Sequence, residues 1–429
     1  MVDLSLVAYL LIAVIGSAYF MLARRNFDLF ALAYASSLFY FMPGFFGYVL
    51  YPNIEQDFTQ AAVANATYNV MTLILALILL ATWMQHMSPR LKPLPVVLET
   101  DSLAPHLVLF MSLIGTVGTI VTGGATLLSP DKMHLLQVIG GNHWYVLASS
   151  ASALACVMAW EMRRHIVFFM ALLLLLIDVL LGFRVNAVLA LIAIITLQFN
   201  RLGVLRLCTA APRTMVVAIG LVVLFVFYKG LYVQIKQGDW TGVIAKLMSA
   251  DFYLDTIGYM EPFITLAILN RVLETAYTIP LDSLNSAWLA LIPYNRPRDI
   301  APVSFNDLFQ PVLFHGVNWM QMANNVWAQA WAAGGLLLLL LFAFVFLIVL
   351  LLGNYLIRAQ SPAIRAGSAL FFTTWAFYFH RNDLLYQFLM QKRILMLWLL
   401  AIAGSCLLMT LWRAAARSAR ENHPAKISP

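Results

Sequence analysis

Runs of about 18 to 25 apolar residues recur along most of this chain, and that recurrence leaves very few folds open to it. Each run is long enough to cross the roughly 30 Å hydrocarbon layer of a bilayer as a helix. Inside that layer no water satisfies backbone N–H and C=O groups, so only helices or closed barrels persist. The runs are continuous rather than alternating, which points away from a barrel. The 429 residues are 62% hydrophobic and only 10% charged, far more apolar than a soluble core requires. The expected class is an all-α polytopic membrane protein.

About eleven spans are expected, near 4–23, 28–50, 62–85, 105–127, 144–162, 166–183, 185–200, 214–233, 326–354, 367–380 and 390–412. The first run ends in Arg24-Arg25 and reads as a span rather than a cleavable leader. Placing the C-terminus inside puts 15 of the 26 basic residues on the cytosolic side, Arg24, Arg163, Arg164, Arg358 and Arg365 among them. That excess fixes the expected orientation, N-terminus out and C-terminus in. The net charge of +7 then records topology rather than affinity for nucleic acid. Cys156, Cys208 and Cys406 fall in spans or at a cytosolic end, so neither a disulfide framework nor a cysteine metal site is expected.

The expected organisation is eight spans over 1–233, a large outer loop over 234–325, three more spans over 326–412, and a basic cytosolic tail over 413–429. The loop runs to roughly ninety residues, and a structured connection of that length is normally functional. Helical stretches are expected at Trp240–Met248 and Leu254–Ala276, followed by a Pro-, Asn- and Arg-rich part. Aromatic and Leu residues throughout suit a loop that caps the bundle or dips into the interface.

The outer side gathers cations. Arg184 sits in LLGFRVNAV, with room for a turn of two or three residues between spans six and seven. Arg271 lies in ILNRVLE, Arg296 and Arg298 flank Pro297, Arg381 follows His380, and Lys229 is at the outer end of span eight. Arginine gives bidentate hydrogen bonds to phosphate or carboxylate and stays charged. Taken singly, each long basic side chain also has an ordinary role, snorkelling to the interface or pairing with an acid. For Arg184 and Arg381 the turns are too short to reach far into water, so a buried partner is expected, with Asp178 and Asp383 as candidates. His315 and His380 share this side and are candidate proton acceptors. Glu55-Gln56-Asp57 is an acid-x-acid pair that a divalent-ion reading would use. Phosphate-loop, dinucleotide and zinc-protease motifs are absent, so no cofactor is expected.

Several short stretches resemble the Wzy-type O-antigen polymerases, the repeat-unit polymerases of bacterial surface polysaccharide. Gly182-Phe183-Arg184 resembles that family's arginine-bearing outer turn. Ile292-Pro293-Tyr294-Asn295-Arg296-Pro297-Arg298 resembles the end of its large loop. Asn324 to Gly335 resembles the segment entering the next span, with Gln329 where Glu is often found. His380-Arg381-Asn382-Asp383 resembles its C-terminal turn, with Asn382 where Gly is common.

The resemblance implies a GT-C-like bundle in the bacterial inner membrane with a periplasmic N-terminus. It implies glycosyl transfer between undecaprenyl-pyrophosphate-linked oligosaccharides on the periplasmic face, and a polysaccharide chain-length co-polymerase as partner. Pyrophosphate is already a good leaving group, so fixed cations rather than a metal would stabilise its departure. On this reading Arg184 and Arg381 clamp the pyrophosphate. Arg296, Arg298, Arg271 and Lys229 bind substrate, and His315, His380, Glu261 or Asp255 receives the acceptor proton. Three alternatives stay open. One is an O-antigen ligase acting on lipid A-core, for which His315 matters. The others are a polysaccharide or lipid-linked glycan flippase, and a metal-dependent transferase resting on Glu55 and Asp57.

Overall fold

A computed structural model describes residues 3–24, 26–55, 57–87, 103–129, 135, 139, 142–200, 209, 212–258, 260–292, 303–317 and 322–422. The chain is an α-helical membrane protein. Among the described residues, five helices are long and apolar enough to cross a membrane: Leu4–Ala23, Asn65–Met87, Ala104–Leu127, Val326–Leu356 and Leu384–Ala416. Three shorter apolar helices are Leu29–Tyr40, His165–Leu180 and Val185–Phe199. Large side chains on these helices face outward, as with Val121, Ile166 and Leu337, which are 77%, 79% and 81% exposed. Only lipid accommodates such exteriors without cost.

The chain divides into two compact units that are not contiguous in sequence. Unit 1 comprises 1–92, 195–355 and 371–392; unit 2 comprises 93–194, 356–370 and 393–429. The division cuts across the order of spans, loop and tail expected from sequence, because helices distant in the chain pack together.

Unit 1 begins with α1 (Leu4–Ala18), extended by a π-helical turn at Tyr19–Ala23. α2 (Leu29–Tyr40) follows. Its N-cap Asp28 is fully buried and its carboxylate is satisfied on every side. It accepts from the Phe30 and Ala31 amides (3.2 Å each), from Asn354 Nδ2 (3.1 Å) and from Arg24. Such a buried acid is tolerated only because these donors replace water. α2 stops at Tyr40, short of the span expected to reach residue 50. A one-turn α3 (Pro43–Phe46) ends in Gly47 at φ +77°, a conformation open to glycine without strain. The apolar run then becomes a strand. β1 (Tyr48–Pro52) pairs antiparallel with β2 (Phe58–Ala62), adding a two-stranded hairpin to the helical class. α4 (Asn65–Met87) closes this segment.

Unit 2 packs α5 (Ala104–Gly123) closely on α6 (His143–Glu161). A Cβ at Gly115 would lie 2.5 Å from the Ala148 backbone nitrogen, so only glycine permits this approach. The facing surface of α6 is small as well, Ala148 to Ala155 being Ala- and Ser-rich, as lipid-embedded helix pairs require. α7 (His165–Leu180) follows, and α8 (Val185–Phe199) passes from unit 2 into unit 1.

The long loop is largely helical. α9 (Pro212–Gln237) leads into α10 (Trp240–Met248), which matches the expected helix, and α11 (Ala250–Gly258). The second expected helix is split, and α12 (Glu261–Glu274) starts afresh with Pro262 in its first turn, where a missing N–H costs nothing. Residues Pro262 to Asn270 of α12 are all buried. A helix buried all round belongs to the core. α12 packs against α2, α4 and β1, so this part of the loop is a structural centre of unit 1 rather than a cover. α13 (Asn285–Leu289) and α14 (Phe305–Leu313) follow; α14 is started by a capping box between Ser304 and Asp307.

α15 (Val326–Leu356) breaks at Gly334-Gly335, with Gly335 at φ +60°. The Ala332 carbonyl beside the break accepts instead from the Ile279 amide at 2.9 Å, so the loop satisfies a group the helix leaves open. α16 (Pro362–Tyr378) and α17 (Leu384–Asn422) complete the chain, α17 starting before and ending after its expected span.

Candidate functional site

The turn between α16 and α17, Phe379 to Asp383, organises one candidate site in unit 1. His380 is fully buried. Trp327 Nε1, which can only donate, bonds its Nδ1 at 2.9 Å. The Ser37 hydroxyl donates to the Ala33 carbonyl at 2.8 Å, which leaves its oxygen to accept from His380 Nε2 at 3.1 Å. Both ring nitrogens are therefore committed. Because Trp327 donates to it, Nδ1 carries no proton and the imidazole is neutral, packed among Trp327, Phe346, Tyr40 and Phe41. His380, expected as a candidate proton acceptor, locks α2 and α15 to the turn through both ring nitrogens.

Asp383 does not pair with Arg381, as expected from sequence. Its carboxylate accepts from the Phe305 amide at 2.7 Å and the Tyr386 amide at 2.8 Å, fastening the start of α14 to the start of α17. Full burial raises its pKa to about 6, against the pull of those two amides. At Gln329, where the resembled family often has Glu, Oε1 accepts from the Leu384 amide at 2.9 Å.

Arg381 pairs instead with Glu261, the first residue of α12. Burial opposes its charge, but the Glu261 carboxylate and then the Tyr378 and Tyr40 hydroxyls raise its pKa above the ordinary value. Its guanidinium carbon lies 5.5 Å from the Tyr378 ring centroid. The side chains of Arg381 and Glu261 keep 29% and 32% exposure, so the pair is reachable. Nε faces Glu261, and the terminal nitrogen fork is the edge suited to a bidentate anion. Glu261, expected as a proton acceptor, holds this guanidinium through Oε1.

A second constellation in unit 1 is a pocket of about 490 Å³. It is lined by Tyr51 to Glu55 from the hairpin, Arg271 of α12, Leu313 at the end of α14, and Phe314, His315 and Val317 beyond it. Three residues singled out from sequence meet here: Glu55, Arg271 and His315. His315 is exposed, with Nδ1 3.4 Å from the Pro311 carbonyl. The pocket rests on Asn270, which is fully buried. Asn270 Oδ1 accepts from the Ala64 amide and the Thr67 hydroxyl, each at 2.8 Å. Its Nδ2 donates to Tyr51 Oη (2.8 Å) and Glu274 Oε1 (2.9 Å). Tyr51 in turn donates to Glu274 Oε2 at 2.9 Å.

Arg184 belongs to unit 2, in a turn of four residues, Leu181 to Arg184, one longer than expected at most. Gly182 at φ +95° reverses the chain, and the Phe183 amide bonds the Asp178 carbonyl at 3.0 Å. Phe183 packs on Tyr145 and on the Leu127, Leu135 and Ile139 cluster. The Asp178 side chain accepts from Tyr145 Oη at 2.6 Å. Arg184 itself is half-buried.

Arg296 and Arg298 lie outside the described residues, and Lys229 lies on α9 with its side chain outside them, as does that of Asp255 on α11. Glu55 and Asp57 lie in the connection between the two strands of the hairpin, where Asp57 Oδ1 accepts from its neighbour Phe58 at 2.7 Å. Among the described residues no three His, Cys, Asp or Glu side chains converge as a metal site would require. Compared with protein-family models, curated proteins and solved structures, the chain matches none.

Proposed function

We propose that this protein is a glycosyltransferase of the repeat-unit polymerase type. It transfers a growing glycan from undecaprenyl pyrophosphate to a lipid-linked repeat at the periplasmic face of the inner membrane. The reading includes the eleven spans, the GT-C-like bundle and the outward N-terminus expected from sequence. The observation that carries it is Arg381. It is a permanently charged guanidinium, fixed by Glu261 on one edge and by Tyr378 on a face, and still part-exposed. A cation held in place before reaction stabilises the charge growing on a departing pyrophosphate without reorganising. Arg184, in the other unit, is assigned phosphate contact from the sequence pattern and is tested separately.

The O-antigen ligase is retained as a second reading on one observation, the exposed His315 facing a pocket beside Arg271. Purified protein in nanodiscs, given lipid-linked repeats alone, decides between them. A polymerase lengthens the glycan, and does so with chelator present. A ligase lengthens nothing until lipid A-core is added.

A further inference from the structure

We propose that the pocket between the hairpin, Arg271 and His315 binds a neutral sugar ring of the lipid-linked glycan, and not the pyrophosphate. The inference rests on the polymerase reading and reassigns Arg271 within it. Three observations carry it.

The first is charge. Arg271 is the cation of the pocket, and its Nη1 already lies 3.9 Å from Glu274 Oε2. Glu55 adds a second carboxylate at the rim. Among the described lining residues the one guanidinium is already paired with Glu274 and meets a second carboxylate in Glu55, which weakens its hold on a diphosphate. The second is the mix of groups. Glu55 accepts from hydroxyls, Arg271 donates to ring and hydroxyl oxygens, and His315, whose Nδ1 faces the Pro311 carbonyl, presents Nε2 to a hydroxyl. Ile54, Leu313, Phe314 and Val317 supply apolar wall for the C–H face of a pyranose. Polar and apolar groups share the lining of about 490 Å³, a volume in the range of small-molecule sites.

The third is rigidity. Asn270 ties Tyr51 to α12, the Phe314 ring meets Tyr51 edge-on with centroids 5.8 Å apart, and the Arg271 guanidinium sits 5.5 Å from the Tyr51 ring centroid. Bound sugar would meet walls already in place, which reduces the ordering cost of binding.

The test is saturation-transfer NMR on the full-length protein in nanodiscs. The probe is the single-repeat oligosaccharide released by mild acid from the producing strain's own surface polysaccharide. Inorganic pyrophosphate is the competitor. Glu55 and His315 are exposed turn residues, so Glu55→Gln and His315→Ala leave the fold intact, as unchanged thermal melting will verify. The expected result is binding by wild type that weakens about tenfold in each variant, the loss of one charge-assisted or oriented contact, and is indifferent to pyrophosphate. Equal binding by wild type and variants overturns the proposal. So does displacement by pyrophosphate, or no binding at all. Failure of the polymerase reading is visible separately: the oligosaccharide then binds in this pocket while the protein lengthens no glycan.

Discussion

Replacing Arg381 separates a catalytic cation from a structural one, because the two roles predict different magnitudes. The Arg381–Glu261 pair keeps roughly a third of each side chain exposed, 29% and 32%. An ion pair that wet contributes about 1 kcal/mol or less to stability, so Arg381→Ala is expected to lower the melting temperature by no more than about 2 °C. A charge-assisted contact to a departing phosphate is worth about 1.5–3 kcal/mol, or roughly a 10- to 160-fold loss of transfer rate. A bidentate contact loses more. The assay is glycan lengthening in nanodiscs beside a thermal melt of the same sample. Arg381→Lys should recover little, since an ammonium does not reproduce the planar fork. The decisive variant is the exchanged pair, Arg381→Glu with Glu261→Arg. It restores the ion pair and its stability while moving the cation to the other helix. Normal lengthening by Arg381→Ala, or full recovery by the exchanged pair, would refute the assignment.

Three further outcomes follow from other contacts. Asp383 has a raised pKa in the fold, about 6, so the protonated form is favoured there. Its stabilising effect is complete at low pH and is lost as pH rises through 6, a swing of about 3 kcal/mol. The melting difference between wild type and Asp383→Asn should therefore shift in favour of wild type as pH falls from 7 to 4, and a flat difference would contradict it. Asn270→Ala strips partners from the Ala64 amide, the Thr67 hydroxyl and Tyr51, and should cost about 2 kcal/mol or more by thermal melting. Arg184→Ala should abolish lengthening with melting little changed if the side chain contacts phosphate; a large melting loss would make Arg184 structural.

Apolar run length made the long helices legible, since period and length survive any tertiary arrangement. Val326–Leu356 and Asn65–Met87 begin and end close to where hydropathy places them. Residues 41–50 were not legible in this way. They are as apolar as a span, but Pro43, Gly44 and Gly47 end the helix and a hairpin uses the apolar residues as buried strand. Hydropathy reports burial without saying in which element.

The candidate site divides similarly. Arg381 stood out by its short turn, whereas its partner Glu261, 120 residues away, could not be paired with it from sequence, and the nearer Asp383 was the natural choice. His380 and His315 looked alike in the chain, yet one is sealed between Trp327 and Ser37 and the other lines a pocket. The nearly unbroken apolar stretch from Pro262 to Leu269 is the signal that could have placed α12 in the core, and with it Asn270.

The most direct test of the central claim is the surface-glycan ladder of the producing strain with this gene deleted. The account predicts that the ladder collapses to single repeats on the core, restored by wild type and not by Arg381→Ala. An unchanged ladder would contradict it, and full-length polymer stranded on the lipid carrier would show that the protein transfers finished chains instead of building them.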